Sequence, residues 1–209
     1  MTGESATIDL ALFSAKSCRL RVIDNANGEA SLSDAMPRIN ALAGVNGGYF
    51  DPNFAPIGLR IIDGKIIRPL IHARLLTGVL VASADSIQIF RVAEYSKSGR
   101  SPFSAVQCGP LLVDGGRPVR GLDATRMARR TFAAVATADH AALGFCSEVS
   151  LSGMAQILGT APLADDFKIN RALNLDGGSS SAFWFKRSGS VYFIPEQKAV
   201  RDFVGVVAR

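Results

Sequence analysis

The sequence predicts an α+β domain: a mostly antiparallel or mixed β-sheet built from hairpins, with a few helices packed on it. Three observations carry this reading. Short apolar runs with strand character recur along the chain, tight-turn pairs such as Asp-Gly and Ser-Gly join them, and few stretches keep a helical period. The 209 residues, 48% hydrophobic and 20% charged, are enough for one sizeable core. One domain over residues 1–209 is therefore expected, without disorder.

Leu32 to Leu42 reads as a helix opened by Ser31 or Ser33, with Pro37 limiting where its first turn can lie. Leu59–Ile62 and Lys65–Arg68 flank Asp63-Gly64 as a hairpin with a primed turn. Gly78–Ser83 and Ser86–Val92 flank Ala84-Asp85 in the same way, and Leu111–Val113 returns through Asp114-Gly115-Gly116 to Arg117–Val119. Thr131–Thr137 and Ala141–Cys146 bracket Ala138-Asp139-His140. Ser150 to Leu158 is a second helix, capped by Ser150, with Leu151, Met154, Ala155 and Leu158 on one face and Gly159 at its end. A short third helix is expected over Leu163–Phe167 after Pro162. Phe183–Phe185 and Val191–Ile194 enclose Ser188-Gly189, and Asp202–Ala208 is a last apolar strand. No linker, repeat, low-complexity segment or Rossmann-type βαβ array interrupts this series.

The formal charge of +5 and pI near 9.4 are mildly basic. The densest cluster is Arg117, Arg120, Arg126, Arg129 and Arg130, with Asp123 inside it. Arginine forks suit phosphate, and the same cluster also reads as a solvated loop face. Without a Lys/Arg run interleaved with aromatics, nucleic acid is not expected as a partner. Cys18, Cys108 and Cys146 show no CxxC spacing, which argues against zinc, and their apolar surroundings suit buried free thiols. No stretch approaches the roughly 20 apolar residues of a membrane span. Met1 to Ser5 has neither the basic nor the apolar region of a signal peptide, so either the native start is cytoplasmic or a leader has been removed.

Two segments concentrate the chemistry. They are Gly44-Val45-Asn46-Gly47-Gly48-Tyr49-Phe50-Asp51 and Ala172-Leu173-Asn174-Leu175-Asp176-Gly177-Gly178-Ser179-Ser180-Ser181. Paired glycines let a ligand come close to main-chain N–H groups, and the Asn, Asp and Ser neighbours suit a sugar or phosphate. Either segment alone also reads as an ordinary hairpin turn.

Val45-Asn46-Gly47-Gly48-Tyr49-Phe50 resembles the NGG-[FY]-F segment of the phosphodiester glycosidase family. Gly109-Pro110-Leu111-Leu112-Val113-Asp114-Gly115, Arg130-Thr131-Phe132-Ala133, Leu173-Asn174-Leu175-Asp176-Gly177-Gly178-Ser179-Ser180 and Val200-Arg201-Asp202-Phe203 resemble further family segments, in the family's order. Ser179 stands where many relatives carry a third glycine, and Asp202 where many carry asparagine. The resemblance implies a hydrolase that cleaves a sugar phosphodiester at the anomeric carbon, releasing sugar and a phosphomonoester. It further implies an exported, periplasmic or secreted protein.

On that reading Asp176 is nucleophile or base, Arg130 clamps the departing phosphate, and Asn46 with Ser179 or Ser180 orients sugar hydroxyls or phosphate. Gly47, Gly48, Thr131, Gly177 and Gly178 are expected to complete the substrate site. Asn46 and Asp176 should then share one cleft, with Arg130 pointing into it. A second carboxylate, if used, is Glu196, Glu148 or Asp51, and its separation from the first decides between retention and inversion. No cofactor is required, and no EF-hand-like loop marks a Ca²⁺ site. His72 and His140 read as structural or solvated, no Ser-His-Asp set can be assembled, and Trp184 reads as packing. The alternative is a non-catalytic module that binds carbohydrate or a cell-envelope polymer on the same fold.

Overall fold

The computed structural model describes residues 5–136, 139–161, 163, 164 and 167–209. Among these the strands form three sheets in which every pairing is antiparallel. The first holds β1 (Ile8–Ser14), β9 (Leu111–Asp114), β10 (Arg117–Pro118), β11 (Ala128–Ala136), β12 (His140–Val149) and β13 (Ile169–Asn174), in the order β1-β12-β11-β13-β9-β10. The second holds β2 (Cys18–Asp24), β3 (Ala41–Asn46), β14 (Phe183–Arg187), β15 (Ser190–Ile194) and β16 (Asp202–Ala208), in the order β15-β14-β3-β16-β2. The third holds β4 (Arg60–Ile62), β5 (Lys65–Arg68), β6 (Gly78–Ala82), β7 (Ile87–Arg91) and β8 (Ser104–Cys108), in the order β5-β4-β8-β6-β7.

The alternation of strand side chains gives each sheet two apolar faces. Inner faces meet in one core: Val45 and Val204 from the second sheet, Leu80 and Val106 from the third, Leu143 and Leu173 from the first. Each outer face is covered by one helix. Met154, Ala155 and Leu158 of α3 (Leu151–Thr160) pack on the first sheet, and Leu32, Ala35 and Met36 of α1 (Leu32–Arg38) on the second. Val92 and Tyr95 of α2 (Val92–Lys97) pack on the third. Along β11, Phe132 and Ala134 face α3 while Ala133 and Val135 face the shared core. Phe132 lies opposite Gly144 in β12, and a Cβ on that glycine would overlap the phenyl ring. Trp184 is buried against α1, in line with packing. Cys18, Cys108 and Cys146 are buried and free, and burial pushes the Cys108 and Cys146 thiols up to about 12.

The strands expected around the turn pairs all pair, with Thr137 and Ala138 of one connection outside the described residues and His140 already in β12. Asp63 and Gly64 take the left-handed conformations (φ 48° and 77°) of a primed turn. The helices differ more. α1 starts as expected, with Ser31 accepting from the Asp34 N–H and Asp34 accepting from the Ser31 N–H, but it ends at Arg38 rather than Leu42. Pro37 supplies no N–H for another turn and Asn40 turns left-handed (φ 51°), so Ala41 and Leu42 open β3. α3 runs through Gly159 to Thr160, because that glycine serves close packing on Pro118 and does not stop the helix. α2 is a correction to the strand expected to reach Val92. The Glu94 carboxylate accepts from the Arg91 N–H at 2.9 Å and starts a helix there without a Ser, Thr, Asn or Asp cap. Leu163 and Ala164 are bends, while Pro162, Asp165 and Asp166 of the third expected helix lie outside the described residues.

One buried ion pair joins the second and third sheets. Arg60 Nε donates to Asp202 Oδ2 at 2.7 Å, with both side chains buried. The remaining guanidinium N–H groups reach the carbonyls of Tyr49, Leu59 and Gln107 at 3.1–3.3 Å, and Asp202 Oδ1 accepts from the Gly48 N–H at 2.9 Å. Arg60→Met strands the Asp202 charge in the interior and is expected to cost about 3–5 kcal/mol in urea unfolding. Adding Asp202→Asn to Arg60→Met should recover much of that loss. A loss below about 1 kcal/mol for the single variant would mean that the pair does not hold the sheets together.

Candidate active site

The two glycine motifs follow the ends of β3 and β13 and close on each other. Asn46 Nδ2 donates to the Asp176 carbonyl at 2.7 Å across 130 positions of sequence, and the Asp176 N–H donates to the Gly47 carbonyl at 3.1 Å. Asn46 Oδ1 accepts from the Thr131 hydroxyl at 2.7 Å and from the Ala182 N–H at 3.0 Å. Asn46 thus joins the second sheet to the first, and both the nitrogen and the oxygen of its amide are engaged by protein groups.

Gly47 and Gly48 lie in the same buried layer. The Gly47 N–H donates to the Asp202 carbonyl at 2.8 Å, and a Cβ there would overlap Asp202 Oδ1. A Cβ on Gly48 would crowd the Arg60 guanidinium. Both glycines therefore make room for the buried ion pair, and their amides are given to Asp202. Thr131 and Ser180 are also fully buried.

Asp176, Gly177, Gly178 and Ser179 form the lip that solvent reaches, each half-buried. Gly178 has φ 65° and open space where a Cβ would stand, and it starts a 3₁₀ turn, Gly178–Ser180. Burial raises the Asp176 carboxyl above its ordinary value, while nearby Ser180 and the Lys198 ammonium act in the opposite direction. The Ser180 hydroxyl has no well-aligned hydrogen bond, and neither do Ser181 Oγ, Asn174 Oδ1 and Arg129 Nε. These are four of the six such buried side-chain atoms among the described residues, so unmet polar capacity concentrates around the Asp176 turn.

The pairing of β11 with β12 shifts register between Ala128 and Arg130. Arg129 Nη2 holds the carbonyls of Ser181 and Pro195 at 2.5 and 2.7 Å, and its guanidinium lies 5.1 Å from the Phe145 ring centroid. Arg130 Nε and Nη2 donate to the Val149 and Arg126 carbonyls at 3.2 and 2.8 Å. Among the described residues Arg130 Nη1 makes no such bond, and it stands 3.6 Å from where a Gly177 Cβ would be. The Arg130 fork is therefore anchored on two sides and free on the side facing the turn.

Three contributors had no role assigned from sequence. Tyr49 donates to the Gly109 carbonyl at 2.7 Å and accepts from Asn174 Nδ2 at 3.0 Å. Burial, with Cys108 and Asp176 close by, raises its phenol so that it stays a neutral donor. Lys198 lies 5.0 Å from the Phe50 ring centroid, in a segment tied to the lip by the Gln197 N–H donating to the Ser179 carbonyl at 2.7 Å. Tyr49 and Asn174 were visible inside the quoted motifs, whereas Lys198 had no local signal. Of the carboxylates suggested as a second acid, Glu196 accepts from the Leu32 N–H that opens α1, and Asp51 accepts from the Asn53 and Ala55 N–H groups. Glu148 is exposed on β12. A separate cleft of about 400 Å³, lined in part by His140 and Arg171, contains none of the site residues. Among the described residues no group of three or more His, Cys, Asp or Glu side chains is placed to hold a metal, and no helix is long and apolar enough to cross a membrane.

A family model for phosphodiester glycosidases matches residues 40–207. No curated protein sequence matches the chain. The fold is similar to the catalytic domain of zebrafish N-acetylglucosamine-1-phosphodiester alpha-N-acetylglucosaminidase, solved in a form auto-inhibited by its pro-peptide. The TM-score is 0.70 at 14% identity, covering 100% of this chain and 86% of that one. A hypothetical protein from Synechocystis is similar with TM-score 0.67 at 17% identity, over 100% of this chain and 60% of that one. An exported-protein candidate from Burkholderia pseudomallei is similar with TM-score 0.60 at 15% identity, over 96% and 73%.

The raised Asp176 carboxyl has a consequence for stability. A carboxyl that is harder to ionise in the folded state opposes folding while it is charged, above its folded pKa, and costs nothing below its unfolded pKa. Asp176→Asn is therefore expected to be more stable than wild type at neutral pH, with the two melting curves converging as pH falls through the carboxylate range. A variant less stable at every pH would show that the charge is held by favourable contacts instead.

Proposed function

The chain belongs to the phosphodiester glycosidase family, and on that premise we propose that it hydrolyses a sugar 1-phosphodiester at the anomeric carbon. The observation that carries this reading is the meeting of the two motifs. Support comes from the half-buried turn that carries Asp176, which has Arg130 Nη1 3.6 Å from where a Gly177 Cβ would be and the Lys198 ammonium acting on the carboxyl. In the reaction the bond from C1 to the phosphate oxygen breaks and water supplies the new C1 hydroxyl, giving free sugar and a phosphomonoester. A phosphate ester leaves readily, so a strong general acid is less needed than for an ordinary glycoside. Asp176 attacks C1 or takes the proton of the attacking water. Arg130 and Lys198 hold the charge that builds on the departing phosphate. Asn46 and Thr131, from beneath, fix the turn that carries Asp176, and Gly177, Gly178 and Ser179 leave the sugar room to approach. Asp51 and Glu196 already serve backbone N–H groups, which suits a mechanism with one carboxylate.

Residues 8–38 add β1, β2 and α1 to the same sheets as the matched region, and we take 1–209 as the working domain. We also place its activity outside the cytoplasm, as the description of the Burkholderia neighbour suggests for that protein. Fractionation of the full-length product tests this, and recovery with cytoplasmic markers would overturn it.

Asp176→Asn keeps the shape of the turn and removes the charge, so kcat on a sugar 1-phosphodiester should fall by about 10²-fold or more in a folded protein. Because the ionised form acts and burial raises its pKa, the acid limb of the wild-type kcat/KM profile should lie above the ordinary carboxylate range. Sugar binding without turnover in the wild type would make the protein a binding module. An unchanged rate in the folded variant would move the chemistry to another group.

Arg130 and Lys198 supply the cationic charge, and we propose that no metal cofactor is needed. Dialysis against EDTA should leave turnover unchanged, and a rate restored by a divalent cation after loss would reverse that view.

A further inference from the structure

The chain between β15 and β16 belongs to no sheet. Among the described residues, the backbone of residues 195–198 makes two hydrogen bonds, and both lead to the turn that carries Asp176. The Gln197 N–H donates to the Ser179 carbonyl at 2.7 Å. The Pro195 carbonyl accepts from Arg129 Nη2 at 2.7 Å, and the same nitrogen donates to the Ser181 carbonyl at 2.5 Å. Lys198 stands at the end of this segment, and its ammonium acts on the Asp176 carboxyl.

Arg129 touches the turn at both ends. Its own carbonyl lies 3.2 Å from where a Gly177 Cβ would stand, and its side chain holds Ser181 just past the 3₁₀ turn. The guanidinium meets no carboxylate in return for its burial. Its Nε is buried without a partner, its flat side faces the Phe145 ring, and burial lowers its pKa. Glu196 is near enough for its charge to act there, but that carboxylate is turned to the Leu32 N–H. A cation is thus kept from water for two carbonyls, and both hydrogens of one nitrogen serve them. Without it, two carbonyl oxygens would face each other with like partial charge. The backbone of 195–198 would then keep only the Gln197 bond.

We propose that Arg129 is a positioning residue: by bridging Ser181 and Pro195 it holds the 195–198 segment on the Asp176 turn and keeps the Lys198 ammonium at the site. This rests on the hydrolase reading above, so one arm of its test needs no turnover. Arg129→Met, Lys198→Met and the double variant form a cycle, with thermal melting to verify the fold. If Arg129→Met does not fold, Arg129→Lys takes its place, keeping the charge but losing the planar fork.

The first readout is the ¹³C NMR titration of the Asp176 carboxyl in the protein without substrate. That carboxyl is faced by Ser180 and the Gly177 N–H on its own turn, by Lys198, and by Asp202 of β16. Tyr49 after β3 and Cys108 of β8 feel its charge, and Arg130 of β11 faces Gly177. Lys198→Met should raise its pKa, since the ammonium favours the ionised form, and the Arg129 variant should raise it too. The double variant should titrate like Lys198→Met alone. The second readout is kcat on a sugar 1-phosphodiester. Each single change should lower it by about tenfold or more. The double variant should fall within about twofold of Lys198→Met. Effects that add in the double variant would overturn the proposal, since Arg129 would then act by its own charge or on the fold at large. A titration unmoved by Lys198→Met would overturn it as well. A non-additive titration in a wild type that turns over no diester would uphold the clamp and remove the hydrolase reading.

Discussion

The Arg60–Asp202 pair is the constraint on which the site's geometry rests. Its members come from different sheets and lie 142 positions apart in sequence. Burying two charges is costly, and the interior tolerates them because each also has backbone partners: three carbonyls for the guanidinium, the Gly48 N–H for the carboxylate. That arrangement dictates what can follow β3. Only residues without side chains fit over the pair, so Gly47 and Gly48 lie flat against it, and the Gly47 carbonyl is left facing the Asp176 N–H. A charge pair deep in the protein thus sets the height and tilt of the carboxylate at its surface. It also accounts for an aspartate at position 202, since a carboxylate there has a guanidinium to meet.

The site has two layers with different duties. Beneath are Asn46, Thr131, Asn174 and Tyr49, which spend their polar groups mostly on one another and on backbone. Above are Asp176 and the half-buried turn through Ser179, with the unpartnered Ser180 and Ser181 hydroxyls just behind it. A rigid lower layer lets the upper one carry a partly desolvated carboxylate without collapsing onto it. The bulge in β11 adds cations from the side, Arg129 bracing the turn and Arg130 presenting one free nitrogen.

The hairpins were legible because their signal is local: Asp63-Gly64 and Ser188-Gly189 specify turns within a few residues. The start of α1 was legible for the same reason, through Ser31. Its end was misjudged because apolar residues continue through Ala41 and Leu42 while the chain has already turned at Asn40. α2 went unseen because its first residue is also the last apolar residue of a strand pattern, and only Glu94 marks the change. For the site, the motifs gave the right neighbourhood, since Asn46 and Asp176 do meet. They did not give the reason for the glycines at 47 and 48, which depends on Asp202 and Arg60, far away in sequence. Lys198 was hidden likewise: its place beside Asp176 comes from the Gln197 tether to Ser179, a contact that no periodicity or spacing encodes.

The buried thiols bear on how the chain can be handled by a cell. Thiol–disulfide chemistry runs through the thiolate, and burial raises the Cys108 and Cys146 thiols so that they stay protonated at neutral pH. Cys18 is enclosed as well. Once folded, the protein offers oxidants and glutathione almost nothing to react with, and its covalent structure is the same on either side of a redox boundary.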